Sequence, residues 1–514
     1  MGSRRVLLGE ILTLVAIGRD MGARGDGLER TTGSTSAMDR ELQDRLPSPS
    51  ERIKGEIGPM LGLAIPVVVA ELGWMAMGIV DTIMVGPLGA EATGAVGLGS
   101  NLYIAVVIFG IGLLLGLDPM VAREHGAGRD DEARRSLAQG VYLALALSPV
   151  LMGLIHVLIP FLPGWGLLDA VLSRTIPYLE ALTWSTAPLL IFSAFRRYLQ
   201  AVNVVKSITF ALVTANLINA LACWVLVYGR FGLPAMGVAG SGWATLLARV
   251  YLMAVALASF AIWGRRQSAS PSWSWPKLEP ARLGRLFALG WPAALHLGLE
   301  VGVFAIATAL AGRLDAVSLA AHQIVLNVSS LTFMVPLGIA SAGAVRVGQA
   351  LGRGDGRAAS TSGWAAIVIG AGFMTVSGVS LLVFSRSIVT LFTKDPGVIA
   401  TSVQLFLLAA AFQLFDGVQV VASGVLRGVG DTRSPMICNL FAHWGIGLPL
   451  SYFLAFGMGR GVVGLWIGLT VGLILAGLVN LGTWTWRSRR LDRAGVGWID
   501  STPAPVAVGP PGVL

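Results

Sequence analysis

Apolar runs of about twenty residues recur along this chain from Leu61 to Trp486. A helix of that length crosses the hydrocarbon of a bilayer. Lipid permits no other open-chain spanning structure, because every backbone N–H and C=O must be satisfied internally. Charged residues make up 13% of the 514, against about 25% in a soluble domain. The 66 glycines suit helices that approach one another closely in lipid. The expected fold is therefore all-α and integral to the membrane. Twelve transmembrane helices are predicted, over 58–86, 93–117, 137–162, 172–193, 204–228, 236–263, 284–311, 318–345, 361–384, 398–425, 435–458 and 461–486.

Loop charge supports the even count. One set of loops carries Arg123, Arg129, Arg134 and Arg135, then Arg196, Arg197 and Lys206, then Arg265, Arg266 and Lys277. It continues with Arg346, Arg353 and Arg357, Arg427 and Arg433, and Arg487, Arg489 and Arg490. The alternate set holds Arg174, Arg230, Arg313, Arg386, Lys394 and Arg460, with no basic residue in its first loop. The excess places both termini in the cytoplasm and the chain in a cell inner membrane. Loop arginines of this kind account for the net charge of +9 without nucleic acid as a partner. Cys223 and Cys438 fall inside predicted spans, so no disulfide framework is expected.

The halves repeat. A shift of 226 brings Pro66 onto Pro292, Gly86 onto Gly312, Asn101 onto Asn327, and Gly126 and Gly128 onto Gly352 and Gly354. GVAG at Gly237–Gly240 is echoed by GVVG at Gly461–Gly464. An even, six-span repeat gives two pseudo-symmetric lobes related by an axis along the membrane normal, with a substrate path between them. The domains expected are a disordered extension over 1–55, an N-lobe over 56–263, a polar, proline-rich linker over 264–283, a C-lobe over 284–486 and a disordered tail over 487–514. Val6–Ile17 is apolar but short and broken by Glu10, and Met38 is an alternative start.

Ionisable groups inside such spans are costly, by at least ~2.5–3.5 kcal/mol on insertion scales, and mark function. Asp81 lies near the outer end of the first span, and Asn219, Ser241 and Thr245 of the fifth and sixth spans reach a similar depth. A carboxylate, an amide and two hydroxyls suit a hard cation or a proton. Asn, Ser and Thr also serve as glue between membrane helices. In the second half, Glu300 and Asp416 sit well inside apolar spans, with His296 one helical turn before Glu300. Glu71 stands nearer the middle of the first span than Asp81 and, with Trp74 and His296, is assigned to the substrate cavity. The chain holds no Walker A loop and no HExxH or CxxC motif, so neither ATP-driven transport nor metalloenzyme chemistry is expected.

Three stretches together resemble a known family: IPVVVAELGWMAMGIVDTIMVG from Ile65, AAHQIVLNVSSLTFMVPLGIASAGAVRVGQALG from Ala320, and FDGVQVVASGVLRGVGDT from Phe415. They are similar to the multidrug and toxic compound extrusion (MATE) family, NorM-like branch, over about residues 57–486. The resemblance implies a monomeric antiporter in the lipid bilayer that exports cationic amphiphilic small molecules against a Na⁺ or H⁺ gradient, without another cofactor. It implies cation coupling at Asp81, Asn219, Ser241 and Thr245 in one lobe and at Glu300 and Asp416 in the other. Na⁺ is the implied metal, at Asp81, Asn219, Glu300 and Asp416. Where the family often carries a second Asn or Asp, one turn after Asn219, this chain has Cys223, which removes a hard oxygen ligand. The alternatives are a major-facilitator-like transporter of a metabolite or a flippase-like transporter of a lipid-linked saccharide. A flippase would be expected to carry intramembrane Arg or Lys, whereas the intramembrane charges read here are mostly acidic. A membrane-embedded enzyme would need clustered catalytic groups, which the sequence does not show.

Overall fold

The computed structural model describes residues 48–165, 168–267 and 275–495. Among them the chain is helical almost throughout, with no strand. The N-lobe holds α1 (Pro49–Val85), α2 (Ala90–Leu114), α3 (Leu117–Gly126), α4 (Asp130–Leu158), α5 (Asp169–Thr183), α6 (Thr186–Ala201), α7 (Val205–Tyr228) and α8 (Val238–Gln267). The C-lobe holds α9 (Pro280–Gly312), α10 (Ala316–Gly352), α11 (Gly356–Phe392), α12 (Pro396–Gly428), α13 (Arg433–Asn439), α14 (Leu448–Tyr452) and α15 (Gly461–Ala494). Two π-helical stretches, Leu440–Gly447 and Phe453–Gly457, join α13 and α14 into one spanning segment.

Eleven segments among the described residues are long and apolar enough to cross a membrane. The predicted twelfth is the fourth span, which is two helices, α5 and α6, interrupted at Trp184 and Ser185. The cause is local. Pro188 lacks the N–H that would continue the ladder backward, and Ser185 and Thr186 hydroxyls bond Leu182 and Thr183 carbonyls at 2.5 and 2.7 Å. The second span has the same device, with a break at Leu115 and Gly116 ahead of Pro119.

Helices overrun the boundaries that composition suggested. α1 begins at Pro49, so 49–55 are helix rather than extension; α15 continues to Ala494, so 487–494 are not tail. The linker shrinks at both ends, since α8 runs to Gln267 and α9 starts at Pro280. Val6–Ile17 and Met38 lie outside the described residues. Arg196 and Arg197, assigned to a loop above, stand in α6 and are buried. An apolar window ends at the first charge, whereas a helix ends only where its backbone loses partners.

Turn chemistry follows the repeat. Left-handed residues close equivalent turns in the two lobes: Gly128 and Gly354, Asn203 and Gly430, and Gly237 and Gly461. In the C-lobe, Asp315, Asp355 and Asp395 cap α10, α11 and α12 by accepting the N–H groups of Ser318, Ala358 and Val398. Ser318 holds the Asp315 carboxyl below its ordinary value. The cap therefore stabilises α10 above the unfolded-state pKa, and that stability is lost as pH falls through the lower folded-state pKa. Asp315→Ala is expected to cost roughly 1 kcal/mol at neutral pH, read as a small fall in thermal stability in detergent; an unchanged midpoint would remove the cap from the account.

The lobes pack through reciprocal contacts. Gly112 of α2 lies against the backbone of Ala294, and Gly338 of α10 lies against the backbone of Val68. Residues 68 and 112 shifted by 226 give 294 and 338, so the two contacts exchange under the repeat. Gly126 against Gln349 and Gly352 against Arg123 exchange in the same way. A Cβ at any of these glycines would overlap backbone, which is why small residues are required there. Outward faces are apolar: Phe210, Leu217 and Leu221 of α7 are 62–63% exposed, as lipid contact demands.

Candidate transport site

Asp81 of α1 is 4% exposed and is held by side chains of α7 and α8. Asn219 Nδ2 donates to its Oδ1 at 2.8 Å and Thr245 Oγ1 donates to its Oδ2 at 2.9 Å. The Cys223 thiol lies 3.5 Å from Oδ1, and 3.9 Å from Ser241 Oγ. Asp81, Asn219, Ser241 and Thr245, picked out by depth and by the family resemblance, thus meet in one buried cluster. The helix geometry explains it: Asn219 and Cys223, like Ser241 and Thr245, are one turn apart and share a face.

The C-lobe carboxylates are arranged differently. Asp416 on α12 is 5% exposed, Glu300 on α9 is half-buried, and the two are within electrostatic reach of one another. Neither has a hydrogen-bond or ion-pair partner among the described residues. Trp444 packs on α9 beside Glu300, its Nε1 donating to the Leu299 carbonyl at 3.1 Å and its ring lying against Gly302. It lies in the π-helical stretch, a distortion common at functional sites. Nothing in the sequence marked Trp444, since the π geometry that aims it is invisible to a periodicity of 3.6.

Three other assignments resolve otherwise. Glu71 does not stand free in a cavity: it is buried and ion-paired with Arg196 of α6. His296 is buried with its Nε2 3.5 Å from Gln419 Nε2, and no bond joins it to Glu300 among the described residues. Trp74 is half-buried, its ring 5.8 Å from the Arg249 guanidinium carbon. Cys223 and Cys438 are both free and buried.

Carboxylates remain the majority of the deeply placed charges, with Glu71, Asp81, Asp118, Glu300 and Asp416, but arginines stand beside them. Arg196, Arg197 and Arg249 are buried, and Arg427 nearly so. Asp118 Oδ2 lies 3.6 Å from Arg197 Nη1 of its own lobe and 3.1 Å from Arg427 Nε of the other. More bonds cross between the lobes beside it. Arg123 donates to the Val429 carbonyl at 2.5 Å and Gln349 to the Ala201 carbonyl at 2.8 Å, and Arg346 pairs with Glu56. All lie at the end of the molecule that bears the arginine-rich turns. A charge count within each span would have found Arg249; Asp118 lies one residue past the predicted second span, and its pairing with Arg197 and Arg427 needed the fold.

Comparison with known proteins matches this architecture. The family model MatE covers residues 66–225 and 292–453, one copy in each lobe. The chain belongs to the MATE family. It is 38% identical over 459 residues to a probable multidrug resistance protein NorM of Mesorhizobium japonicum, covering 86% of this chain and 96% of the relative. Identity to the multidrug resistance protein MdtK of Yersinia pseudotuberculosis is 35% over 449 residues, covering 85% and 96%. The fold is shared with the eukaryotic MATE transporter AtDTX14, at a TM-score of 0.77 and 21% identity over 86% of this chain and all of that one. A Pyrococcus furiosus transporter of the MOP superfamily has a TM-score of 0.76 and 18% identity over 88% of this chain and 99% of that one. Membership of the MATE family removes the major-facilitator alternative. Three of the four deeply placed arginines lie within 4.0 Å of a carboxylate, Arg196 of Glu71 and both Arg197 and Arg427 of the shared Asp118, which offsets much of the positive charge that a pyrophosphate-linked cargo requires.

Proposed function

We propose that this MATE protein exports cationic amphiphilic molecules across a cell inner membrane by alternating access, driven by inward movement of a cation. The relatives' names support multidrug efflux as the broader activity. The observation that carries the finer reading is the pair Glu300 and Asp416, two carboxylates without donors, in the lobe opposite Asp81. A carboxylate held in low dielectric attracts a lipophilic cation, and Trp74 and Trp444 offer ring faces to it. A small cation arriving from outside neutralises the same charge and releases the cargo, so competition for one site couples the two fluxes. At Asp81 a proton is favoured over Na⁺. Na⁺ demands several hard oxygens, and this carboxylate meets a thiol and two hydrogen-bond donors. At Glu300 and Asp416 either ion fits.

The test is dye uptake into everted membrane vesicles with a pH gradient or a Na⁺ gradient imposed separately. Uptake driven by the pH gradient is expected in the wild type, and Glu300→Gln is expected to lower the rate roughly tenfold by removing half of the C-lobe charge. Full wild-type rates in Glu300→Gln under both gradients would sink the coupling role of that pair.

A further inference from the structure

A cleft of about 470 Å³ opens at the end of the molecule that bears the arginine-rich turns, within the roughly 300–1,000 Å³ of ordinary ligand sites. Its walls include Gly62 of α1, the stretch from Asn203 to Ser207 that begins α7, and Arg346 of α10, so both lobes line it. A Cβ at Gly62 would meet nothing within 4 Å, so no side chain fills that wall. Lys206 is exposed and has no hydrogen-bond or ion-pair partner among the described residues. Arg346 bonds Glu56 through Nε, and among the described residues its Nη groups bond nothing. α7 starts after Val204 with no side-chain cap, and the N–H groups of a first turn have no acceptor within their own helix. The C-lobe treats the equivalent place differently. A shift of 227 carries Asn203 and Val204 onto Gly430 and Asp431. Asp431 accepts from Ser434 N at 3.1 Å and from Ser434 Oγ at 2.9 Å, so a carboxylate of the chain itself covers the start of α13. Where the C-lobe supplies an anion, the N-lobe has an open cleft and a lysine.

An ammonium, a guanidinium with unused donors and the bare start of a helix together suit a phosphate, which brings several acceptor oxygens and a negative charge. We propose that this cleft seats the phosphate of an anionic phospholipid from the leaflet that the positive-inside rule assigns to the cytoplasm. A lipid fits better than a soluble phosphate because the cleft continues into an apolar lane. Lys206, Phe210, Leu217 and Leu221 share one face of α7, and the last three are 62–63% exposed. The acyl chains lie along that face while the phosphate meets Lys206 and Arg346. Those two residues belong to different lobes, so the headgroup ties the lobes together at this end. The site takes no part in cargo binding or ion coupling, and its test is independent of the export reading above.

The full chain, purified in detergent, is titrated with dioctanoyl phosphatidylglycerol, dioctanoyl phosphatidylcholine or inorganic phosphate. Bound lipid is counted by native mass spectrometry and the thermal midpoint is followed. Phosphatidylglycerol is expected to bind at least roughly tenfold tighter than phosphatidylcholine and to raise the midpoint. Lys206→Gln, at an exposed position, is expected to weaken phosphatidylglycerol roughly tenfold, the loss of one charge-assisted contact. Gly62→Leu places a side chain in the cleft where a Cβ meets no neighbour, and is expected to weaken the lipid by a similar factor without lowering the lipid-free midpoint. Lys277→Gln removes the same charge from another exposed position and is expected to leave binding within about twofold of wild type. Equal wild-type affinity for the two lipids overturns the proposal, as do equal losses in Lys206→Gln and Lys277→Gln or wild-type binding in Gly62→Leu. Protection by inorganic phosphate as strong as that by phosphatidylglycerol also overturns it, and makes the cleft a site for a soluble anion.

Discussion

Asp81→Asn is expected to lower gradient-driven efflux roughly hundredfold while leaving the protein folded. The substitution changes charge with almost no change of shape. Asn219 still donates to the remaining amide oxygen, as it now does to Asp81 Oδ1 at 2.8 Å. Thr245 now donates to Oδ2 at 2.9 Å, and its hydroxyl can rotate to accept from the new amide nitrogen instead. The hydrogen-bond inventory therefore closes, and thermal stability is expected to move by less than about 1 kcal/mol. What disappears is the negative charge that a cationic cargo and a proton are proposed to share. Asp81→Ala is a harsher change, leaving Asn219 and Thr245 without a partner in a buried pocket, and would confound the two effects. Efflux from Asp81→Asn within twofold of wild type, at matched expression, would show that the buried carboxylate serves architecture alone.

Much of this arrangement was legible beforehand, for identifiable reasons. Asp81 and Asp416 stood out because a charge in an apolar run has no innocent explanation from composition. The two lobes were visible because a six-helix repeat leaves its glycines in register, and Gly126 and Gly352 are kept small by reciprocal close packing between lobes. The misplaced charges have one cause. Charges near the ends of apolar windows were taken as loop charges, because hydropathy cannot tell a helix that stops from one that continues in protein. Arg196 and Arg197 are the clearest cases: counted as topology markers, they are buried in α6 against carboxylates of α1 and α3. Glu71 was misassigned for the same reason, since its partner was thought to lie in water. The break between α5 and α6 was also missed, although Pro188 with the run of hydroxyl residues before it was the available signal.

The arginine pairs divide into bonds within a lobe and bonds between lobes, and the second effect follows from that difference. Asp118 faces Arg197 of its own lobe and Arg427 of the other. In Asp118→Asn two buried guanidinium groups would be left side by side without a carboxylate, a penalty of roughly 3–5 kcal/mol. Parting the lobes at this end relieves that penalty, because both arginines then meet water. The substitution should therefore shift the population from the closed toward the parted arrangement by a factor of a hundred or more, as about 3 kcal/mol requires. Spin labels at Arg129→Cys and Arg353→Cys, exposed in equivalent turns of the two lobes, would report it as a longer distance. Arg427→Gln should give a smaller shift, since Asp118 keeps Arg197. Glu71→Gln provides the contrast: it breaks a buried pair held within one lobe, so it should lower thermal stability without moving the labels. If Asp118→Asn and Glu71→Gln gave the same label distance as the wild type, the Asp118 cluster would be packing rather than a latch, and closure would rest on the glycine contacts alone.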